Sequence, residues 1–184
     1  MIISDIQKDL FRYTGTISLF AFLKLYFTTP SFRYLVFFRL ANKKKRGIVY
    51  VGFYIMFFLK LVSHKFGFQI PSNTNIGEGF YIGHFGVIVI NDKAVIGKNC
   101  NVAHNITIGQ ISTGIKAGCP CIGNSVWIGT GAVVVGKIII GDNVLIAPNS
   151  FVNFDVPSNS LVIGNPGKVI RKTNPTEGYI LNHV

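Results

Sequence analysis

Aliphatic residues recur at every sixth position along the second half of the chain. A helix has 3.6 residues per turn and a plain strand alternates every two, so neither pattern by itself explains a period of six. A short strand followed by a tight corner, repeated, does explain it, and such coils stack around one continuous core. The positions in phase are Ile70, Ile76, Ile82, Ile88, Ile96, Val102, Ile108, Ile122, Ile128, Val134, Ile140, Ile146 and Val152.

Two steps interrupt this phase. The step from Ile88 to Ile96 is eight residues, a two-residue insertion, and the step from Ile108 to Ile122 is fourteen residues, which predicts an excursion at 110–121. The pattern resembles the hexapeptide-repeat left-handed parallel β-helix, a triangular prism with three hexapeptides per coil. The resemblance implies a mainly β fold, with roughly five coils between Ile70 and Phe154.

Charge and aromatic residues separate the first 68 residues from the rest. Residues 1–68 hold eleven of the eighteen Lys and Arg, only two acids and twelve of the sixteen Phe, so they carry +9 of the net charge of +11. We therefore expect three parts: a helical, basic, aromatic-rich segment at 1–68, a β-helix domain at 69–172 and a C-terminal tail at 173–184.

The N-terminal segment has the composition of helices that lie on a membrane surface. Its uncharged run at 48–59 is short of the roughly twenty residues that a spanning helix needs. The cluster Lys43–Arg46 precedes this run, and basic residues beside apolar helices favour anionic headgroups. The alternative is a helical subdomain packed on the β-helix or on a neighbouring subunit.

No recognised nucleic-acid module is present, so a nucleic-acid partner is not expected. Residues 1–10 contain two acids and no clear cleavage site, so no signal peptide is expected.

The sequence has three cysteines, Cys100, Cys119 and Cys121, and an odd count without a framework argues against a disulfide-built secreted protein. We interpret Cys100 as a core residue, since it occupies the small-residue position of its repeat. A metal site would need more ligands at suitable spacing, so no metal is predicted.

Two histidines are the candidate catalytic residues. His84 and His104 each follow an aliphatic repeat residue by two positions. Counting around the prism puts them on the same edge, one coil apart, near the inter-strand spacing of about 4.8 Å. A neutral imidazole suits removal of a proton from a hydroxyl group. The alternative is that either histidine merely occupies a surface corner.

The stretch GFYIGHFGVIVINDKAVIG (79–97) resembles the active-site region of serine acetyltransferases. The similarity continues through ITIG, the excursion, IGTGAVVVG and VIGNPGKVI, and covers about residues 69–172. It implies acetyl transfer from acetyl-CoA to a hydroxyl, with His84 as the general base and a homotrimer with sites between subunits. The residues that it matches to the coenzyme path are Gly109, Gly129, Ala132, Ala147 and Pro148, with Lys168, Arg171 and Lys172 near the coenzyme phosphates.

The same resemblance fails at positions that bind the amino acid. The family has an aspartate immediately before the catalytic histidine, and this chain has Gly83. The family's Arg-His pair is replaced by Gly118 and Cys119, and the carboxylate that partners the histidine falls at Gln69. A buried site for a zwitterion needs charges to replace water.

We therefore expect a different acceptor, a sugar hydroxyl of a bacterial surface polysaccharide or its lipid-linked precursor. The chain in this respect resembles the O-acetyltransferases of capsule and exopolysaccharide pathways. Gln69, Asp92 and Cys119 are the candidate acceptor-binding residues. The expected location is the bacterial cytoplasm, peripheral on the inner face of the membrane.

Three alternatives stay open. The first is a serine O-acetyltransferase of cysteine biosynthesis with a rearranged acceptor site. The second is a non-catalytic hexapeptide scaffold, which would not bind acetyl-CoA. The third is a zinc enzyme of the carbonic anhydrase type on the same prism, but that enzyme needs three histidines around one zinc, and the sequence offers only two in the wrong spacing.

Overall fold

The computed structural model describes residues 2–42 and 49–184. Four helices precede the strands: α1 Ile2–Thr14, α2 Leu19–Thr28, α3 Pro30–Asn42 and α4 Val49–Phe66. The strands are β1 Phe68–Gln69, β2 Asn75–Ile76, β3 Tyr81–Ile82, β4 Ile88–Ile90, β5 Val95–Ile96, β6 Asn101–Val102, β7 Ile106–Gly109, β8 Cys121–Ile122, β9 Trp127–Ile128, β10 Val133–Val135, β11 Ile139–Ile140, β12 Val144–Ile146, β13 Phe151–Val152, β14 Ser160–Ile163 and β15 Lys168–Arg171.

The strands form the three faces of a left-handed parallel β-helix. The first sheet is β1-β4-β7-β10-β13, the second is β2-β5-β8-β11, and the third is β3-β6-β9-β12-β14 with β15 antiparallel at its end. Successive strands of one sheet come from successive coils, and all thirteen in-phase aliphatic residues are buried. The predicted fold class is confirmed.

Close stacking of the coils explains the glycines that follow the repeat residues. A Cβ atom on Gly97 would lie 2.5 Å from the carbonyl oxygen of Gly123 in the next coil, closer than real Cβ atoms come. Asparagines occupy other corners in the left-handed region, for example Asn99 at φ 55° and Asn149 at φ 56°. Asparagine tolerates this conformation better than most side chains. The corners therefore select residue types that permit a sharp turn without separating the coils.

Two buried polar residues, Asp9 and Arg39, hold the helices against the first coil. Arg39 of α3 pairs with Asp9 of α1 at 2.7 Å and donates to the carbonyls of Ile76 and Gly77, both at 2.7 Å. The Phe80 N–H donates to the same Asp9 carboxylate at 3.0 Å. Burial raises the pKa of the Asp9 carboxyl, while Arg39 and the Phe80 N–H act in the opposite direction.

Part of the helical region leaves large apolar side chains exposed. We call this surface the apolar helical face; its residues are Ile17, Leu19, Phe20, Leu23 and Phe27 around α2, and Tyr54, Phe57, Phe58 and Leu61 of α4. None of the described helices is both long and apolar enough to span a bilayer. The basic cluster Lys43–Arg46, on which the membrane prediction also relied, lies outside the described residues.

Two further segments depart from the regular prism. The excursion at 110–121 projects between β7 and β8, as the interrupted phase predicts. Paired hydrogen bonds between Ile111 and Gly118 close it into a hairpin. Residues 173–184, which follow β15, fold back along the third sheet. We call this segment the C-terminal tail.

Candidate active site

The edge between the third and first sheets carries both candidate histidines, and we call it the histidine edge. His84 follows β3 and His104 follows β6, and the register pairs Ile82 with Val102. The two imidazole rings lie 5.6 Å apart between centroids and nearly perpendicular, at 87°. The spacing of the sequence predicted this arrangement on one edge, one coil apart.

Helix α1 fixes the strand that leads into His84. The Tyr13 hydroxyl donates to the Ile82 carbonyl and accepts from the Ile82 N–H, each at 3.0 Å. Burial raises the pKa of the Tyr13 hydroxyl well above its ordinary value, so it keeps the proton that it donates. The Tyr13 ring also packs on Tyr81, with centroids 4.3 Å apart. Sequence reasoning missed Tyr13, because one tyrosine among many apolar residues gives no signal of its partner.

A polar chain continues from α1 to the C-terminal tail. Arg12 donates to the Gly79 carbonyl at 3.0 Å and to the side-chain oxygen of Asn101. Asn101 in turn donates to the Tyr179 carbonyl at 3.0 Å. The first coil, α1 and the tail are thus connected beside His84.

A pocket of about 260 Å³ opens beside His84 on the face of the third sheet. Its lining comprises Tyr81, Gly83, His84, Asn101, Val102, Ala103, Trp127, Thr130 and Tyr179. Gly83 has no side chain here, and a Cβ atom on it would meet only ordinary contacts, 3.5 Å from the Tyr81 ring. The pocket therefore places open volume directly next to the imidazole that sequence reasoning selected as the base.

The second histidine has an unusual environment. Its Nδ1 atom is buried and has no hydrogen-bond partner in the part of the chain that the structure describes. A buried polar atom without a partner costs free energy and needs an explanation. Nδ1 of His104 is therefore a candidate acceptor for a substrate or for a group of another subunit.

The residues matched to the coenzyme path divide between two edges. Gly129 and Ala132 follow β9, and Ala147 and Pro148 follow β12, so these four continue the histidine edge. Gly109 ends β7 and lies at the edge between the first and second sheets, which we call the excursion edge.

The matched basic residues lie farther along the third sheet. Lys168 and Arg171 are exposed on β15, and Arg171 donates to the Ser158 carbonyl at 2.9 Å. Lys172 follows directly and is also exposed.

Two of the three candidate acceptor residues lie at a different edge of the prism from His84. Gln69 is exposed on β1 of the first sheet. Asp92 and Cys119 lie at the excursion edge, where Asp92 accepts from Asn73 at 3.3 Å and the Cys119 thiol lies 3.2 Å from the Asn91 side-chain oxygen. Burial raises the pKa of the Cys119 thiol.

A metal site has no support among the described ranges, 2–42 and 49–184. Within them, no group of three or more His, Cys, Asp or Glu side chains is arranged to hold an ion.

Residues 122–153 match the family described as "Bacterial transferase hexapeptide (six repeats)". A putative acetyltransferase of Saccharomyces cerevisiae is 37% identical over 133 residues, which is 67% of this chain and 68% of the yeast protein. The chain belongs to the hexapeptide-repeat acetyltransferases.

Other relatives in the family are serine acetyltransferases. Serine acetyltransferase 2 of Arabidopsis thaliana is 39% identical over 60% of this chain and 34% of its own length. The enzyme of Synechococcus elongatus is 38% identical over 58% of this chain and 44% of its own length. The chain thus spans less than half the length of these curated relatives.

Solved structures agree over nearly the whole chain. Serine acetyltransferase from Neisseria gonorrhoeae in complex with serine has a TM-score of 0.72 at 27% identity, covering 92% of this chain and 69% of that one. Serine acetyltransferase in complex with coenzyme A from Brucella abortus has a TM-score of 0.71 at 26% identity, covering 94% and 67%.

These comparisons overturn the expected sugar acceptor. Three relatives at 35–39% identity are serine acetyltransferases, not capsule or exopolysaccharide enzymes. The prediction failed because it gave the departures at Gly83, Gly118 and Cys119 more weight than the similarity of the whole β-helix domain. Three positions of an acceptor site do not identify a different acceptor class.

Proposed function

We propose that this protein is an acetyl-CoA-dependent O-acetyltransferase whose acceptor is the hydroxyl group of serine. The observation that carries the proposal is the pocket beside His84, on an edge lined by the residues matched to the coenzyme path. The likeness to structures solved with serine and with coenzyme A supports the two substrates.

The reaction needs one base and a path for one proton. The His84 imidazole accepts the proton of the serine hydroxyl as that oxygen attacks the thioester carbonyl carbon. The tetrahedral intermediate then collapses, the bond from carbon to sulfur breaks, and the departing thiolate takes the proton back from the imidazolium. The products are O-acetylserine and coenzyme A, and His84 returns to its starting form.

We propose a homotrimer, and the division of the matched residues between two edges supports it. Gly109 and Cys119 lie at the excursion edge, while His84 and Ala132 lie at the histidine edge. One prism cannot bring its own two edges together. A neighbouring copy whose excursion edge faces the histidine edge would complete the site, and threefold symmetry closes such a head-to-tail contact.

The direct test is a steady-state assay with acetyl-CoA and serine that follows O-acetylserine and free thiol. We expect O-acetylserine formation that depends on His84. Release of thiol without an acetylated amino acid would refute serine as the acceptor.

The open volume at Gly83 gives a sharper version of this test. Gly83→Asp would restore the carboxylate that the serine acetyltransferases have at this position, without a steric conflict at Cβ. We expect this carboxylate to contact the ammonium group of serine. A charge-assisted hydrogen bond contributes about 1.5–3 kcal/mol, so KM for serine should fall roughly ten- to a hundredfold. Gly83→Ala is the matched control, and it should leave KM nearly unchanged.

We further propose that the apolar helical face contacts the surface of an anionic bilayer. Helix α2 has no buried residue, and Leu19, Phe20 and Phe27 are 70–79% exposed. A groove of about 310 Å³, with Phe27, Phe58 and Leu61 among its lining residues, joins α2 to α4. Contiguous exposed apolar surface of this kind marks an interaction site.

Charge favours lipid over protein as the occupant of this face. The exposed cations Lys24, Lys60 and Lys65 adjoin it, and residues 10–77 contain no acid. Each Lys near an anionic membrane contributes about 1 kcal/mol of attraction. The same position would put the enzyme on the inner face of a cytoplasmic membrane.

Flotation with vesicles tests this contact. Binding to vesicles that contain phosphatidylglycerol should exceed binding to phosphatidylcholine alone, and should weaken between about 0.1 M and about 1 M salt. The double variant Phe20→Ser/Phe27→Ser should bind less, whereas Ile115→Ser, at a still more exposed apolar residue on the excursion, should not differ from the parent. An assembly larger than a trimer without lipid, reduced to a trimer by the double variant, would assign the face to a second copy.

A further inference from the structure

The pocket beside His84 exists because the C-terminal tail stands above a flat sheet. Residues that point outward from the third sheet form one row through the strand register, and this row includes Tyr81, Asn101 and Trp127. A β-helix face without additions has no groove, since alternate side chains reach similar heights above the sheet. In this protein the C-terminal tail crosses the row of side chains and forms one wall of the pocket beside His84.

Several contacts fix the tail along its length. Thr176 is buried and its hydroxyl lies 2.5 Å from the Asn143 side-chain oxygen. Ile180 is 4% exposed. Asn99 accepts from the Val184 N–H at 3.0 Å and donates to the Val184 carbonyl at 2.9 Å. The C-terminal tail is therefore an ordered part of the fold that packs on the β-helix.

One side chain of the tail reaches the pocket. The Tyr179 ring packs on Trp127 with centroids 4.9 Å apart and planes at 56°. Its main-chain carbonyl accepts from Asn101, which holds the residue over the sheet. Tyr179 thereby lines the same pocket as His84, although the two lie 95 positions apart in the sequence.

We propose that Tyr179, held against Trp127 by the C-terminal tail, is a specificity-determining residue that limits the size of the acceptor beside His84. This inference rests on the proposed function. The pocket volume of about 260 Å³ is slightly below the roughly 300–1,000 Å³ that is typical of pockets for drug-sized ligands, and so suits a small amino acid. Without the tyrosine ring, the pocket would open along the face of the third sheet.

The test combines acceptor selectivity with a direct probe of the wall. Trp127 is the single tryptophan of the chain, so its fluorescence reports the position of Tyr179 without another contribution. The full-length variants are Tyr179→Ala, which removes the ring, and Tyr179→Phe, which keeps it. Leu181→Ala is the control for the tail, because Leu181 is exposed and does not line this pocket.

We expect Tyr179→Ala to raise acrylamide quenching of Trp127 and to raise KM for serine about two- to tenfold, with a smaller change in kcat. The ratio of kcat/KM for homoserine to that for serine should rise, because homoserine is one methylene longer. Tyr179→Phe and Leu181→Ala should resemble the parent in both measurements.

Other outcomes overturn the inference. If Tyr179→Ala leaves the selectivity ratio unchanged, with or without a rise in quenching, Tyr179 does not limit the size of the acceptor. If selectivity changes while quenching does not, packing on Trp127 is not what holds Tyr179 in the pocket. If the parent enzyme forms no O-acetylserine, the proposed function fails, and the quenching comparison alone then decides whether Tyr179 covers Trp127. Melting curves of each variant separate a local change from loss of the fold.

Discussion

The β-helix and the helical region achieve order in different ways. In the β-helix every coil repeats the same inward aliphatic residue and pairs its strands with the coils above and below. The helices have no repeat. Buried apolar side chains such as Phe38 join the core of the β-helix, and a few specific polar contacts fix the helices on the first coil, chiefly the pair of Asp9 and Arg39 and the hydroxyl of Tyr13. One region distributes its stability over many equivalent positions, and the other concentrates it.

This difference has a consequence for function. The repeating region provides a rigid edge on which His84 and His104 are fixed relative to each other. The helices then decide how the strand before His84 is held, and they keep an apolar face uncovered. The proposed chemistry and the proposed membrane contact therefore belong to different regions, which meet at the first coil.

The largest expected effect tests whether catalysis belongs to the β-helix alone. His84→Ala should lower acetyl transfer about 10²–10⁴-fold, the usual loss when a general base is removed. His64→Ala, at an exposed histidine of α4, is the matched control and should retain full turnover. His104→Ala should cost less than His84→Ala. If His84→Ala keeps normal turnover and His104→Ala is inactive, His104 and not His84 is the general base.

The next effect tests the concentrated stability of the helical region. Arg39→Ala leaves the Asp9 carboxylate buried without its partner, so the free energy of unfolding should fall by about 3–5 kcal/mol. Lys8→Ala removes a surface pair with Glu78 and should cost about 0–1 kcal/mol. Urea unfolding measures both, and equal losses would show that the buried pair is not the main attachment.

A third prediction tests the distributed stability of the prism. Ile128→Ala removes a fully buried side chain and should lower the free energy of unfolding by about 2–5 kcal/mol. Leu19→Ala truncates a side chain of α2 that is 74% exposed, and should change it by less than about 0.5 kcal/mol. A large loss for Leu19→Ala would mean that the apolar helical face is covered in the folded protein.

The smallest effect uses the cysteines, all of which lie in the β-helix domain. Burial raises the pKa of the Cys100 thiol to about 12, so this group stays protonated and shielded near pH 8. A thiol reagent should label the exposed Cys121 first, Cys119 more slowly and Cys100 only after unfolding. In Arg39→Ala, labelling of Cys100 at the rate of global unfolding would show that the prism survives loss of the helical contact. Faster labelling would show that loss of the helical contact lets the coil around Cys100 open locally.

The sequence predicted those parts of the site that depend on counting. His84 and His104 could be placed on one edge because six-residue spacing fixes which corner follows each strand. The same counting located the excursion at 110–121. It could not locate Tyr13, Arg12 or Tyr179, because these residues reach the site from segments without a repeat.

The acceptor prediction failed for a related reason. The resemblance gave matched positions one by one, but it gave no measure of how much each position weighs in recognition. In the sequence, Gly83 shows only that a charged side chain is missing. In the structure, the same glycine also leaves open volume in a pocket that other residues enclose.

The sequence by itself determined the left-handed β-helix, its interruption at the excursion and the edge that carries both histidines. These features follow from local rules, because each coil needs only an inward aliphatic residue and a corner that permits a sharp turn. The tertiary structure decided the attachment of the helices, the apolar helical face and the path of the tail over Trp127. Those features depend on contacts between residues far apart in the chain. Hydrogen bonds and ring packing between such residues produce no periodic pattern in the sequence.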